Sequence, residues 1–283
     1  MKLCRYGKPG YEKPGVIDSE GKLRDLSKIV DNLGPNEISP RGLKMLTRQK
    51  VDQLPLVSGA QRFGVPYVGI GKFIAIGLNY SDHAKEAGMP LPAEPIVFMK
   101  ATTCISGPND DVIAPKNSTK LDWEIELGVV IGTTARYVDE ASALSHVAGY
   151  CIVNDVSERS FQLATSQWDK GKGFDTAGPI GPYLVTTDEI ADPQNLDMLL
   201  EVNGKKMQSG NTRTMVFGVA KIISHVSQYM TLLPGDIIAT GTPPGVGLGI
   251  KPNPVFLKPG DVMTLTIEGL GQQRQKVVPY SAQ

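Results

Sequence analysis

The sequence predicts a strand-rich α+β protein with mixed sheets. Three observations predict it. Thirty-one glycines and 21 prolines in 283 residues imply many turns and disfavour a helical bundle. Short apolar runs rich in Val and Ile outnumber segments with helical spacing. The strands and helices do not alternate as successive βαβ units, which excludes a doubly wound sheet. Apolar residues make up 41% and charged residues 20%, enough to bury a large core.

Taken in order, residues 1–70 read as a small leading α/β domain and residues 71–283 as a second, larger domain. Residues 16–23 form a hairpin with its turn at Ser19–Gly21. Residues 26–30 and 40–47 look helical around the Gly34-Pro35 break. Residues 54–57 and 63–66 are extended. The runs 73–78, 96–100, 123–131 and 148–153 are strands, as are 196–202, 236–240 and 261–268. Residues 82–87, 140–146 and 157–166 have helical character. Val216, Val219, Ile222, Ile223 and Val226 recur at helical spacing, so 216–230 is the clearest helix.

Composition excludes several functions. Twenty-nine Lys and Arg offset 29 Asp and Glu, leaving no electrostatic footprint for nucleic acid or an anionic membrane. No apolar run approaches the ~18 residues of a membrane span, and no leader pattern stands at the start, so the cytoplasm is expected. Cys4, Cys104 and Cys151 form no metal spacing, and an odd count argues against a disulfide framework. With only His83, His146 and His225, a histidine-rich metal site cannot be built. Any metal must rest on oxygen ligands. No Walker loop, HExxH, GxSxG or GxGxxG is present.

The strongest chemical signal is Asp122-Trp123-Glu124-Ile125-Glu126-Leu127-Gly128. Strand alternation puts Glu124 and Glu126 on one face, roughly 6–7 Å apart. Two carboxylates on a buried strand repel unless a cation lies between them, and a hard divalent ion is economical. A solvated charged face would carry the same pattern. Asp155, at the end of the next strand, is placed to complete an oxygen set. Arg159 and Gln162 follow at helical spacing, so a carboxylate-binding guanidinium would share that face; a helix cap with an i,i+4 ion pair explains the same residues. Lys172 sits in a glycine-rich loop, where it would meet either an enolate oxygen or solvent. His83 and Glu86 are spaced i,i+3, which allows a dyad that activates water or a surface ion pair. The flanking Gly77 and Gly88 suit a lid. Thr240-Gly241-Thr242-Pro243 offers backbone donors and hydroxyls to an anion.

Together, Glu124-x-Glu126, Asp155-x-x-x-Arg159-x-x-Gln162, Lys172-Gly173-Phe174 and Thr240-Gly241-Thr242-Pro243 resemble the fumarylacetoacetate hydrolase family in order and approximate spacing. Asn79-Tyr80-x-Asp82-His83-x-x-Glu86 resembles its acylpyruvase-like branch. That resemblance spans residues 70–275 and implies a sandwich-like β-roll, usually assembled as a homodimer. It implies Mg²⁺ or Mn²⁺ on Glu124, Glu126 and Asp155, and contact of Arg159, Gln162, Lys172 and Thr242 with a 2-oxo acid. Tyr80 and Lys100 are further candidates for substrate contact. His83 and Glu86 would activate water, with Lys172 stabilising an enolate. The implied reaction is hydrolysis of the C3–C4 bond of an acylpyruvate or 2,4-dioxo-3-deoxy sugar acid. Similar bacterial proteins include rhamnonate-derived dioxo acid hydrolases and ureidoglycolate lyases. Alternatives on the same metal are oxaloacetate decarboxylation, 2-oxo acid hydration or isomerisation, and ureidoglycolate cleavage. A metal-stabilised binding protein is the non-enzymatic alternative, although it would need neither Arg159, Gln162 nor Lys172.

Overall fold

The computed structural model describes residues 1–88 and 90–281, without the side chains of His83 and Ala87. Along the chain come β1 (Lys2–Tyr6), β2 (Lys13–Ile17), β3 (Leu23–Asp25), α1 (Pro40–Leu46), β4 (Phe73–Gly77), α2 (Ser81–Ala87) and β5 (Ile96–Lys100). Four short strands follow around one long one: β6 (Ile105–Ser106), β7 (Val112–Ile113), β8 (Leu121–Asp122), β9 (Ile125–Ile131) and, later, β11 (Ser157–Glu158). Between them lie α3 (Glu140–Ala143) and β10 (Val147–Asn154). The remainder comprises α4 (Arg159–Gln162), α5 (Asp169–Lys172), β12 (Gly178–Thr186), β13 (Asp197–Val202), β14 (Lys205–Asn211), α6 (Val219–Tyr229), β15 (Ile237–Ala239), β16 (Val262–Ile267) and β17 (Gly271–Val278).

Ten strands form one mixed sheet, ordered β3-β2-β1-β12-β10-β9-β15-β4-β5, with β6 pairing alongside β12. Five form a second sheet, β14-β13-β16-β17-β7. Fully apolar strands belong where both faces are covered, and every residue of β4, β9 and β10 is buried. The second sheet shows one-sided alternation: Met263, Leu265 and Ile267 are buried with partly exposed threonines between them. The leading segment also belongs to the large sheet, since Lys2 and Leu3 of β1 pair with Val185 and Leu184 of β12.

Several expected elements end earlier than their pattern. Residues 26–30 make a single turn closed on the Leu26 carbonyl rather than a helix. The 157–166 segment is helical only over α4, because Ser157 and Glu158 pair with β8 and the last helical bond runs from Leu163 N–H to Arg159. The long helix starts at Val219, not at residue 216. Asn79 accounts for that: its backbone and side-chain oxygens accept from the Val216 and Phe217 N–H groups at 2.7 and 2.9 Å, holding both extended.

Close pairing of the central strands requires a missing side chain at Gly149. A Cβ there would stand 2.2 Å from the Val185 carbonyl oxygen on β12. Gly149→Ala is expected to cost ~1–3 kcal/mol through overpacking, read as a fall in Tm of about 2–4 °C for each kcal/mol. An unchanged Tm would contradict the register of this sheet.

Candidate active site

The site assembles where β9 and β10 begin and end. Antiparallel pairing brings Asn154 opposite Ile125, so Asp155 follows β10 next to Glu124, and its N–H donates to the Glu124 carbonyl at 2.9 Å. Glu126 comes from β9 itself. Carboxylate oxygens of Glu124, Glu126 and Asp155 lie within 4.8 Å of one another, and all three residues are buried. The two-residue spacing on one strand and the acid ending the neighbouring strand therefore converge as expected.

Cations surround them. Lys172 Nζ donates to Glu124 Oε2 at 2.9 Å and to Asp155 Oδ2 at 2.6 Å. Arg159 pairs through its η2 nitrogen with Glu124 Oε1 at 2.7 Å and through Nε with Asp122 Oδ2 at 2.8 Å. Its η1 nitrogen donates to Gln162 Oε1 at 3.0 Å. Lys100 Nζ bonds Asp155 Oδ1 at 2.5 Å and also the Lys172 carbonyl. Burial alone would depress both Lys172 and Arg159, but the adjacent carboxylates win and hold each above its usual range. The Glu126 carboxyl is pushed well above its usual range, first by burial, then by the charges of Asp155 and Glu124.

Among the described residues, four buried carboxylates (Asp122, Glu124, Glu126 and Asp155) thus face three buried cations, and Glu126 carries the imbalance. An added cation on the three converging carboxylates would relieve it. The donors are hard oxygens, three of them on adjacent chain segments, which fits Mg²⁺ or Mn²⁺ and does not suit a soft metal.

Backbone donors complete the floor. Gly241 N–H donates to Glu126 Oε2 at 2.8 Å. Gly241 adopts φ +97°, and a Cβ would lie 2.8 Å from Asn79 Cβ, so only glycine presents its N–H this way. Thr242 Oγ1 donates to the Ile125 carbonyl at 2.8 Å and accepts from Gln208 Nε2 at 2.7 Å. Opposite, Glu86 of α2 accepts from the Gly245 N–H at 3.1 and 3.2 Å. Trp123 Nε1 holds the Gly245 carbonyl at 3.1 Å. The strand pair, α2 and the 243–249 loop are therefore tied together. His83 lies one turn before Glu86 on α2, and its side chain is outside the described residues.

A cavity of about 580 Å³ opens onto this floor. Glu86, Glu124, Glu126, Arg159, Lys172 and Thr242 line it, as does Gln162. Two expected substrate contacts stand apart from its wall. Tyr80 is fully buried and its hydroxyl donates to Met198 Sδ at 3.2 Å, because β4 carries it into the core. Lys100 is buried behind Asp155, where its ammonium is consumed by protein acceptors.

Two site residues escaped the sequence reading. Asp122 accepts from Arg159 and from the N–H groups of Trp123, Gly247 and Leu248, fixing guanidinium and loop at once. Its signal was available: 122, 124 and 126 are alternate acids. Gln208 bridges β14 to Ile125 N–H, Thr242 and the Pro243 carbonyl, and nothing in Lys205-Lys206-Met207-Gln208 marks it.

Three buried carboxylates converging beside buried cations form a group that could hold a metal ion on oxygen ligands. The family model for the fumarylacetoacetate (FAA) hydrolase C-terminal domain matches residues 72–278, and the chain belongs to that family. A protein of Burkholderia multivorans, provisionally named a hydrolase, is 61% identical over 97% of this chain and 98% of its own. The structure resembles the fumarylacetoacetate hydrolase of Exiguobacterium antarcticum, with a TM-score of 0.89 and 38% identity over 99% of this chain and 100% of that one. It also resembles maleylpyruvate hydrolase of Sphingobium sp. SYK-6, solved with manganese(II) and pyruvate, with a TM-score of 0.83 and 29% identity over 99% and 100% of the two chains. Among the described residues no helix is long and apolar enough to cross a membrane.

The raised Glu126 carboxyl sets a sign. Its proton is bound more tightly in the folded than in the unfolded chain, so its contribution favours folding below the ordinary glutamate range (about 4.3). That contribution is lost as pH rises through the folded value. In EDTA, Tm should therefore fall as pH is raised from mildly acidic to neutral, and Glu126→Gln should flatten the fall and raise the neutral Tm. A steeper fall in the variant would contradict the charge imbalance.

Proposed function

We propose that this protein hydrolyses the C3–C4 bond of a 2,4-dioxo acid, yielding pyruvate and a carboxylic acid. One observation carries the reading: Glu124 and Glu126 line the cavity together with Arg159, Gln162, Lys172, Thr242 and Glu86, and the buried Asp155 carboxylate lies within 4.8 Å of theirs. A structural metal would need none of Arg159, Gln162, Lys172 and Thr242. Glu124, Glu126 and Asp155 would hold Mg²⁺ or Mn²⁺, which supplies Lewis-acid polarisation of the substrate's 2-oxo and carboxylate oxygens.

The chain's own groups supply the rest. Arg159 has five N–H donors, and three are used by Asp122, Glu124 and Gln162. The remaining two suit a substrate carboxylate, steered by the rigid Asp122 contact. Lys172 uses two of its three donors on Glu124 and Asp155. The third is left for the oxygen that becomes negative as the bond breaks. Held above its usual range, Lys172 stays protonated to donate there.

His83, one helical turn from Glu86, would take a proton from water, with Glu86 orienting the imidazole. Hydroxide adds to C4. The C3–C4 bonding pair then passes into a pyruvate enolate, and C3 takes up the proton carried by His83. Glu86 is anchored by Gly245 N–H, so the lid and the 243–249 loop would close as one unit. The free, buried thiols of Cys4, Cys104 and Cys151 suit a reducing cytoplasm.

The test is pyruvate release from acetylpyruvate, oxaloacetate, a 2,4-dioxo-3-deoxy sugar acid and, as glyoxylate release, ureidoglycolate. Each is assayed with Mg²⁺, Mn²⁺ and EDTA. Expected is metal-dependent cleavage of dioxo acids, lowered ~10²–10⁴-fold in His83→Ala. Oxaloacetate turnover that survives His83→Ala, with dioxo acids untouched, would instead establish a decarboxylase on the same floor.

A further inference from the structure

The cavity wall is not uniformly polar. Beyond the charged floor it includes the rings of Phe98 on β5 and Trp168, together with Leu78. The two rings meet edge to face, with centroids 5.4 Å apart and planes at 70°. This wall is built into the fold. A Cβ on Gly77 would lie 2.5 Å from Trp168 Cζ3, so Trp168 packs against β4 only because residue 77 lacks a side chain. The Phe98 ring also stands 5.4 Å from Lys172 Nζ. The aromatic surface therefore begins directly beside the ammonium that faces the reacting oxygen. Both rings are only partly buried, so they present surface to an incoming group. Of the charged residues lining the cavity outside the floor, Glu86 is engaged by Gly245, and Lys251 is an exposed rim residue whose charge water screens.

We propose that Phe98 and Trp168 select the acyl substituent and that the protein prefers 2,4-dioxo acids with an apolar group beyond C4. This rests on the dioxo acid reading above and names its substrate class more narrowly. With the carboxylate end on Arg159 and the enolate oxygen at Lys172, the substituent extends from the ammonium onto the neighbouring ring. An apolar tail gains contact there. A polyhydroxylated tail would lose water from several hydroxyls against rings that offer no acceptor and a single donor, the Trp168 indole N–H.

The experiment compares three tails on the same dioxo acid head: methyl (acetylpyruvate), phenyl (benzoylpyruvate) and polyhydroxylated (a 2,4-dioxo-3-deoxy hexonate). kcat/KM and, separately, calorimetric affinity with Mn²⁺ present are measured for wild type, Trp168→Ala and Gly77→Ala, the last displacing the ring without deleting it. Expected for wild type is a phenyl-over-polyhydroxyl preference of roughly tenfold or more, in turnover and in affinity. The phenyl-to-methyl ratio of kcat/KM should fall about tenfold in both variants. Preference for the polyhydroxylated acid, or a ratio unmoved by both substitutions, overturns the aromatic selector while leaving the hydrolase reading intact. Tighter calorimetric binding of the phenyl compound with no dioxo acid cleaved supports the selector and overturns the reaction instead. No cleavage and no tail dependence of binding overturns both.

Discussion

The structure depends on one constraint: among the described residues, four carboxylates and three cations are buried together at the junction of β9 and β10. Ions removed from water are costly, and mutual pairing compensates only when geometry is good and the remaining donors and acceptors are met. Here nearly every surrounding element contributes to meeting them. Asp122 gathers three backbone N–H groups besides Arg159. Gly241 donates to Glu126, and Lys100 closes the far side of Asp155. The charge that is left over falls on Glu126, whose carboxyl is accordingly held above its ordinary range. A cation held by the three converging carboxylates would offset that charge.

The same constraint explains how fold and function are coupled. The acids sit on or directly beside strands whose residues are all buried, so their positions are set by ladder register rather than by side-chain flexibility. Loop 243–249 is anchored to that register through Asp122 and Trp123, and α2 is anchored to the loop through Gly245. Gly245, at φ +103°, can make that contact because a Cβ would fall 2.0 Å from the Met207 carbonyl oxygen. The cavity-lining Glu86 is thereby positioned by a backbone contact, while Arg159 and Lys172 are positioned by charge.

Much of this was legible in the residues. Alternation placed Glu124 and Glu126 on one face, strand end placed Asp155, and helical spacing joined Arg159 to Gln162. The motif set identified the family, and the strand-rich fold followed. What escaped depended on tertiary pairing. Strand β12, Gly178-Pro179-Ile180-Gly181-Pro182, reads locally as a turn and exists only because β1, β6 and β10 flank it. Tyr80 shares its motif with a lining residue but ends in the core on Met198, and Lys100, on the same face of β5 as Phe98, is taken up by Asp155 and the Lys172 carbonyl. Gln208 is a polar residue in a polar hairpin, and its role appears only when β14 is laid against Ile125 and Thr242. Asp122 was readable as the third alternate acid, yet its partners lie 37 and 125 residues away.

The most direct test of this account is a calorimetric titration of the metal-stripped protein with Mn²⁺, for wild type, Asp155→Asn and Glu126→Gln. The buried, unbalanced carboxylate cluster predicts one Mn²⁺ per chain in wild type and at least a tenfold loss of affinity in each variant, with secondary structure retained by circular dichroism. Undiminished Mn²⁺ binding in both folded variants would contradict it, because the cation would then be held elsewhere and the burial of these acids would need another explanation.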